Sequence, residues 1–162
     1  MQGLLCAPRL TKSFPSSKIH TKVNEMEELA KNLPALFTSL FVCILFIQSG
    51  LDKVFDWKGN LEWLTGHFSK SILAGMVPMM LAVITVMELA TGILSGIGLV
   101  YFLAAGSSIL IFYSSLIGAA SLTALFFGQR VAKDYAGAAI LVPYFILLLI
   151  MMFLTVPAKT GL

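Results

Sequence analysis

Three features of the sequence predict an all-α integral membrane protein, built as a four-helix bundle with a short amphipathic surface helix between spans 1 and 2. The 162-residue chain is 58% apolar and 12% charged, which is about half the charge fraction of an average soluble domain. Residues 72–127 carry a single formal charge, Glu88. As one helix that run would be roughly 84 Å long, against a hydrocarbon core of about 30 Å, so it predicts two spans and a turn. Uncharged runs at residues 33–51 and 135–158 supply two more spans.

These runs divide the chain into three predicted parts. Residues 1–31 form a basic tail and a short pre-span helix, residues 32–158 a four-span membrane domain, and residues 159–162 a short tail. The spans are expected at about 33–52, 75–98, 100–127 and 135–156. Basic residues number six on the side of the termini and five on the other, which favours cytoplasmic termini.

The beginning of the chain leaves three interpretations open. Residues 1–23 contain four basic residues and no acid, which fits a disordered tail, a targeting peptide or a chain that starts at Met26. No apolar core precedes a cleavage site, which favours the tail. Asn24 and Glu27 have the spacing of a capping box and predict a helix through Lys31.

The first span is predicted to begin with Pro34 in its first turn and to leave the membrane near Lys53. Gln48 and Asp52 are four residues apart and share a helix face, while Lys53 can reach Asp56. Residues 54–70 then alternate apolar and charged side chains and include two tryptophans, as in a helix that lies on a bilayer surface. His67 has no companion ligand there, so no metal site is expected.

The two middle spans carry faces of small and hydroxyl side chains. On the second span Thr85, Glu88, Gly92 and Gly96 share one face, and on the third Ser107, Ser114, Gly118 and Ser121 do so. Such faces allow close packing of helices, so we expect the glycines and serines to pack these spans together. The intervening turn is expected between Ser95 and Ser107.

Glu88 is the candidate functional group, because a carboxylate inside a span is costly and must face protein or water. It lies about 13 residues from the start of its span at Gly75. From that depth we expect hydroxyl groups, rather than Lys53 or Arg130, as its partners. Gln48 and Thr85 are the other polar groups assigned to the membrane interior.

A charged cluster is predicted where the first span ends and the fourth begins, since both emerge on the same side of the membrane. Arg130 and Asp134 are four residues apart and are expected to pair. Pro143 is expected to kink the fourth span. The predicted cluster comprises Asp52, Lys53, Asp56, Arg130, Lys133 and Asp134.

Composition argues against several classes of function. Cys6 and Cys43 are too far apart in sequence and setting to form a redox pair, and His20 and His67 lie outside the spans. No aromatic-interleaved basic patch indicates nucleic acid. We therefore expect no metal and no cofactor held by this chain itself, although a borrowed quinone is compatible with it.

Three blocks of sequence resemble the DoxX family of small bacterial membrane proteins. Residues 48–57, QSGLDKVFDW, are similar to the Gly-x-x-Lys that ends the family's first helix; Glu88 with Gly92 is similar to its Glu followed by glycines; and residues 127–137, FGQRVAKDYAG, enter the fourth helix. The resemblance covers residues 33–154. It lacks the Thr-Arg pair that the family often has between helices two and three. Membership implies a four-helix bundle in a bacterial inner membrane, and some members resemble subunits of quinone-linked oxidoreductases.

Three functions remain open at this stage. The first is a non-catalytic accessory or scaffold subunit of a membrane complex, which binds membrane or membrane-associated proteins through its small-residue faces and surface helix. The second is a quinone-interacting subunit in which Glu88 exchanges a proton while a partner carries electrons. The third is a solute or proton pathway, which would require a homo-oligomer. On none of these is the isolated chain clearly an enzyme.

Overall fold

The regular elements of this protein are all helical over the residues that its structure, a computed structural model, describes (16–156). Five α-helices follow one another: α1 (Ser16–Phe55), α2 (Trp57–His67), α3 (Val77–Ala105), α4 (Ile109–Val131) and α5 (Tyr135–Leu154), with a 3₁₀ turn, Ala74–Met76, before α3. The all-α prediction is confirmed over this range. Most of the predicted basic tail and the tail 159–162 lie outside the described residues.

Four helices are long and apolar enough to cross a membrane. They are Met26–Phe55 within α1, Ala74–Ala105, which joins the 3₁₀ turn to α3, and the whole of α4 and α5. A short helix, α2, lies between the first and second of them, where the mixed apolar and charged sequence predicted one. The chain divides into two compact units at the bond between Leu33 and Pro34, and the second unit contains the rest of α1 and all the later helices.

The start of α1 differs from the prediction. A separate pre-span helix capped by Asn24 was expected, but α1 is helical from Ser16 and contains both Asn24 and Pro34 in its interior. The residues between them are strong helix formers, such as Glu27, Glu28 and Lys31, and extending an existing helix costs less than nucleating a new one. The capping-box spacing at Asn24 therefore does not mark a helix start.

The turn between the middle spans lies later than predicted. The helix α3 continues to Ala105, so the expected third span from residue 100 begins only at Ile109. Gly106 has φ 70°, a left-handed conformation that glycine adopts without steric cost, and its N–H donates to Phe102 O at 2.8 Å. The earlier glycines stay helical because helices pack on them, as Ile111 does on Gly98.

Two helices begin with the same local motif, Asp-aromatic-x-Gly. Asp56 Oδ1 accepts from Gly59 N at 3.1 Å and starts α2, and Asp134 Oδ1 accepts from Gly137 N at 2.8 Å and starts α5. A carboxylate in this position accepts a hydrogen bond from a free backbone N–H, and the positive end of the helix dipole stabilises its charge. These caps turn the chain sharply after α1 and after α4.

Glycine contacts bring α1 and α3 unusually close together. A Cβ at Gly92 would lie 2.8 Å from the backbone nitrogen of Ile47, and one at Gly50 would lie 2.6 Å from Leu89. Farther along the same contact, Ser95 Oγ donates to Ser39 O at 2.8 Å and Ser39 Oγ to Ser95 O at 3.1 Å. The two antiparallel helices are thus fixed in one register.

The helix α4 packs on a neighbouring face of α3, and α5 packs on α4. Ser114 Oγ donates to Thr91 O at 2.8 Å, and a Cβ at Gly118 would meet Thr91 at 2.9 Å. Side chains of α1, α4 and α5 share one buried cluster: Val42, Phe46, Ile111, Ala119, Leu122, Leu148 and Met151.

Burial differs from the usual pattern of a soluble protein on both the inside and the outside. Hydroxyl side chains are among the most buried, and large apolar side chains cover the outside. The buried hydroxyl residues are Ser39, Thr85, Thr91, Ser95, Ser114, Ser115, Ser121 and Thr155. Exposed apolar residues include Phe37, Phe41, Ile44, Val86, Ile97, Leu116, Ile146 and Phe153.

The contact at Gly92 predicts the effect of a larger residue. Gly92→Val should destabilise the protein by about 1 to 3 kcal/mol or prevent folding, because the new side chain meets the α1 backbone rather than a flexible side chain. Thermal unfolding of the purified protein, monitored by circular dichroism, measures the loss. Gly66→Ala is the matched control, since nothing lies within 4 Å of a Cβ there, and equal losses in both variants would contradict this packing.

Candidate functional site

A buried ion pair joins the end of α1 to the middle of α3. Lys53 Nζ lies 2.8 Å from Glu88 Oε2 and donates to Oε1 at 3.2 Å. The Glu88 side chain is 4% exposed and that of Lys53 is 19% exposed. The same ammonium group donates to Ser49 Oγ at 2.9 Å and to Ser49 O at 3.2 Å. All three ammonium protons therefore have acceptors within the protein.

This ion pair corrects the expectation that Glu88 would bind hydroxyl groups. Thr85 Oγ1 donates to Leu81 O of its own helix at 2.7 Å rather than to Glu88. The glycine contacts set the register of α1 against α3, because Gly92 contacts Ile47 and Gly50 contacts Leu89. The helices are antiparallel, so Lys53, three residues after Gly50, is level with Val86, three residues before Leu89. From there its four-carbon side chain spans the short distance to the carboxylate. The sequence shows only how far Glu88 lies from the start of α3. It could not show that the end of α1 lies at the same depth and brings Lys53 to the carboxylate.

Two buried polar side-chain atoms have no hydrogen-bond partner among the described residues, and one of them belongs to this pair. They are Glu88 Oε2, which contacts Lys53 at ion-pair distance but outside hydrogen-bonding geometry, and Ser121 Oγ on α4. Buried polar atoms are nearly always hydrogen bonded, and exceptions often mark functional groups or binding positions. Glu88 Oε2 nevertheless has Lys53 Nζ as its charge partner at 2.8 Å, so of these two atoms Ser121 Oγ is the one without a polar contact.

A cavity of about 360 Å³ lies next to the ion pair. It forms because α1 ends at Phe55, while α3 and α4 continue past that level and α2 turns across the space. Its apolar lining consists of Leu64, Phe68, Val77, Met79, Met80, Leu81, Val83, Ile84, Ala124, Leu125 and Gly128. Its polar lining consists of Lys53, Asn60, Trp63 and Gln129. An apolar pocket of this size with a few polar groups is typical of small-molecule sites.

One side of the cavity reaches the apolar outer surface of the protein. Met79 and Val83 line it and are 55% and 50% exposed, on the face of α3 that carries other exposed apolar residues. Ile84, which also lines the cavity, is buried. A molecule with a polar head and an apolar tail fits this shape.

The outer wall of the cavity is α2, held by a few contacts at its end. His67 Nε2 lies 3.2 Å from Gln129 Oε1 and 3.7 Å from Asp134 Oδ2, and its ring stacks on Trp63 with centroids 4.7 Å apart. Phe68 is buried after α2, and its ring lies near Gly128. These contacts join α2 to the junction of α4 and α5, residues about 62 apart in sequence.

The predicted charged cluster does not form as one group. Lys53 binds Glu88, Asp56 and Asp134 cap helices, and Arg130 lies over the Tyr135 ring at 4.6 Å from its centroid. Neither the expected Arg130–Asp134 pair nor a Lys53–Asp56 pair is found in the described part of the chain. Capping satisfies a backbone N–H that would otherwise be unpaired, which an exposed ion pair does not. Asp52 and Lys133 are exposed.

Some of the residues assigned to packing or to the membrane interior lie in helix contacts, and others lie in a turn or on the surface. Gly92 contacts α1, Ser114 and Gly118 contact α3, and a Cβ at Gly96 would meet Cys43 Sγ at 3.0 Å. Ser107 lies in the α3–α4 turn, not in the third span as expected, because Gly106 ends α3 there. Gln48 is exposed on the surface of α1, and its depth in a membrane stays a prediction.

A metal site is not evident among residues 16–156, where no three or more His, Cys, Asp or Glu side chains form a cluster. Comparison with protein-family models, curated proteins and solved structures gave no match to this chain. The similarity to DoxX proteins therefore remains a hypothesis based on the three sequence blocks.

The site contains residues that the sequence did not reveal. Asn60, Trp63 and Gln129 line the cavity, and His67 holds α2 to the rest of the protein. The two tryptophans were interpreted as surface anchors, and nothing in their spacing relates them to Gln129. Ser121 was assigned to packing, and only its unpartnered hydroxyl distinguishes it from Ser114.

The ion pair makes a prediction about stability. Lys53→Met should destabilise the protein by about 3 kcal/mol, because it leaves a buried carboxylate without its cation. The double variant Lys53→Met/Glu88→Gln should recover most of that loss, since both charges are removed together. Chemical or thermal unfolding in mild detergent measures the double-mutant cycle, and the exposed Lys58→Met is the control. Additive losses in the double variant would show that the two charges do not interact.

Proposed function

We propose that this protein is a multi-pass membrane protein that binds a quinone-type amphiphile and serves as a redox-linked subunit of a membrane complex. The observation that carries the proposal is the position of the cavity: Lys53, which pairs with Glu88, lines it, and its side opens onto the apolar outer surface. A ligand would enter from the lipid, place its polar head near the ion pair and leave its tail among acyl chains.

The pattern of burial supports a membrane location. Exposed Phe, Ile, Leu and Val side chains surround helices whose contacts contain buried Ser and Thr. In water, exposing so much apolar surface would favour aggregation, whereas in lipid it costs nothing and interhelical hydroxyl groups hold helices together. The four long apolar helices would then be the four spans of a bundle, with α2 at the bilayer surface.

Charge balance supports a ligand with a neutral head. The positive charge of Lys53 is already matched by Glu88, and its protons are taken by Ser49 and Glu88. A fatty-acid carboxylate placed there would face Glu88 and be repelled. A substituted quinone ring is neutral, is largely apolar and is compatible with a cavity of about 360 Å³.

In this proposal, a partner protein carries out the electron transfer. Glu88 would exchange a proton with the head group, and a membrane or membrane-associated partner would supply or accept the electrons. The similarity to DoxX proteins supports this division of roles and a location in a bacterial inner membrane with cytoplasmic termini. The scaffold interpretation gains less support, because the small-residue faces expected to bind partners are occupied by α1, α3 and α4 of this same chain.

Filling the cavity should abolish binding without touching the ion pair. Ala124→Phe, in protein reconstituted into lipid nanodiscs, should weaken the binding of a short-chain benzoquinone at least tenfold, because the ring would occupy ligand space. Quenching of Trp63, which lines the cavity, reports binding, and Trp63→Phe identifies its signal.

Ala139→Phe is the matched control, since Ala139 is exposed on α5 and does not line the cavity. Equal affinity in wild type, Ala124→Phe and Ala139→Phe would contradict a quinone site in this cavity.

A further inference from the structure

The hydrogen bond between His67 and Gln129 determines which way the carboxamide group of Gln129 faces. His67 Nε2 lies 3.2 Å from Gln129 Oε1 and 3.7 Å from Asp134 Oδ2. A carboxylate oxygen can only accept a hydrogen bond, so Nε2 carries a proton and donates it to the amide oxygen. The side chain also lies against α5, since a Cβ at Gly137 would be 3.1 Å from Gln129 Cδ. The amide is therefore held from two sides, with its oxygen towards His67.

The nitrogen of the same amide is a hydrogen-bond donor without a partner. Within the described part of the chain, the hydrogen bond of the Gln129 side chain is the one that its oxygen makes, and Nε2 has no acceptor. Gln129 lines the cavity of about 360 Å³ and is half-buried. A molecule in the cavity can therefore reach this side chain.

The other polar side chains of the lining are less available as donors. Lys53 already has three acceptors within the protein, and Asn60 Nδ2 donates to Asp56 O at 2.8 Å. Trp63 is 60% exposed, so its indole N–H is not confined to the cavity. Of the four polar side chains in the lining, Gln129 is thus the one that is half-buried and keeps a free donor.

A carbonyl oxygen is the complementary group for this donor. Leaving an N–H group unpaired in an apolar space costs free energy, and a carbonyl oxygen removes that cost because it only accepts hydrogen bonds. The neighbours of Gln129 in the lining, Leu125 and Gly128, are apolar and offer no side-chain acceptor.

We propose that Gln129 Nε2 donates a hydrogen bond to a carbonyl oxygen of the bound head group, and that His67 is a positioning residue that holds the amide oxygen. This inference rests on the proposed quinone site and names the residue that recognises the carbonyl. The ester carbonyl of a bilayer lipid offers the same chemistry, so the test separates the two sources.

Isothermal titration calorimetry on the full chain in lipid nanodiscs compares decyl-benzoquinone with decylbenzene, which has the same ring size and tail but no carbonyl. Gln129→Glu keeps an acceptor for His67 and replaces the free donor by an oxygen. The ratio of quinone affinity to decylbenzene affinity should therefore fall about tenfold, with the thermal stability of the protein retained. Gln129→Met, which introduces no charge, should lower the ratio about fivefold.

Variants of His67 test its positioning role. His67→Phe keeps an aromatic ring against Trp63 but has no N–H for the amide oxygen, so the ratio should fall about threefold. His67→Gln should restore the ratio, because its amide nitrogen can take the place of Nε2. Thr65→Val is the matched control on α2, since Thr65 is exposed, does not line the cavity and donates to Leu61 O of its own helix.

The outcomes distinguish this inference from the proposed function. If the wild type does not bind the quinone, the quinone site itself is wrong and this inference fails with it. If the wild type binds the quinone and Gln129→Glu has the same affinity ratio, the quinone site stands and the inference is overturned. Equal ratios in the wild type and His67→Phe would show that His67 does not position the amide.

Nanodiscs of ether-linked lipids, which lack ester carbonyls, identify the source of the carbonyl. The affinity ratio of the wild type should be at least as high there as in ester-linked lipids. If Gln129→Glu leaves the ratio unchanged and lowers thermal stability in ester-linked lipids alone, a lipid ester binds Gln129, which overturns the assignment to the quinone.

Discussion

The buried ion pair between Lys53 and Glu88 is the interaction on which the rest of the structure depends. Removing two charges from water costs several kcal/mol each, and the pair recovers this only if its geometry is maintained. The approach of α1 to α3 at Gly92 and Gly50 maintains it, because larger residues there would separate the helices. The hydroxyl and carbonyl oxygens of Ser49 accept the other hydrogen bonds of the Lys53 ammonium group. The glycines, the serine and the two charges therefore form one structural unit.

The same geometry creates the cavity. Lys53 pairs with Glu88 in the last turn of α1, and the chain leaves the helix at Phe55. Asp56 caps α2 and redirects the chain across the first turns of α3 and the last turns of α4. Had α1 continued, it would have filled the space now lined by Leu64 and Phe68. The position of one helix end thus decides both where the charges meet and where a ligand can bind.

The sequence predicted what depends on composition and local spacing. Apolar runs predicted the four long helices, and the mixed segment after residue 54 predicted α2. Sequence-based prediction was wrong where contacts between residues far apart in sequence determine the structure. Gly98 lies within the stretch predicted to turn but packs against Ile111, so the α3–α4 turn was placed too early. The partner of Glu88 was missed because the register of α1 against α3 comes from glycine contacts about 40 residues apart. Asp134 was expected to pair with Arg130, but it satisfies the backbone of Gly137.

The distance between Lys53 Nζ and Glu88 Cδ in a lipid bilayer tests the central claim most directly. Rotational-echo double-resonance NMR on protein labelled with ¹⁵Nζ-lysine and ¹³Cδ-glutamate measures it, with Glu88→Gln as the subtraction. The structure predicts strong dephasing, as for groups in ion-pair contact within about 4 Å, and its loss in Glu88→Gln. Dephasing that is absent in the wild type, or unchanged in Glu88→Gln, would show that the two charges do not meet.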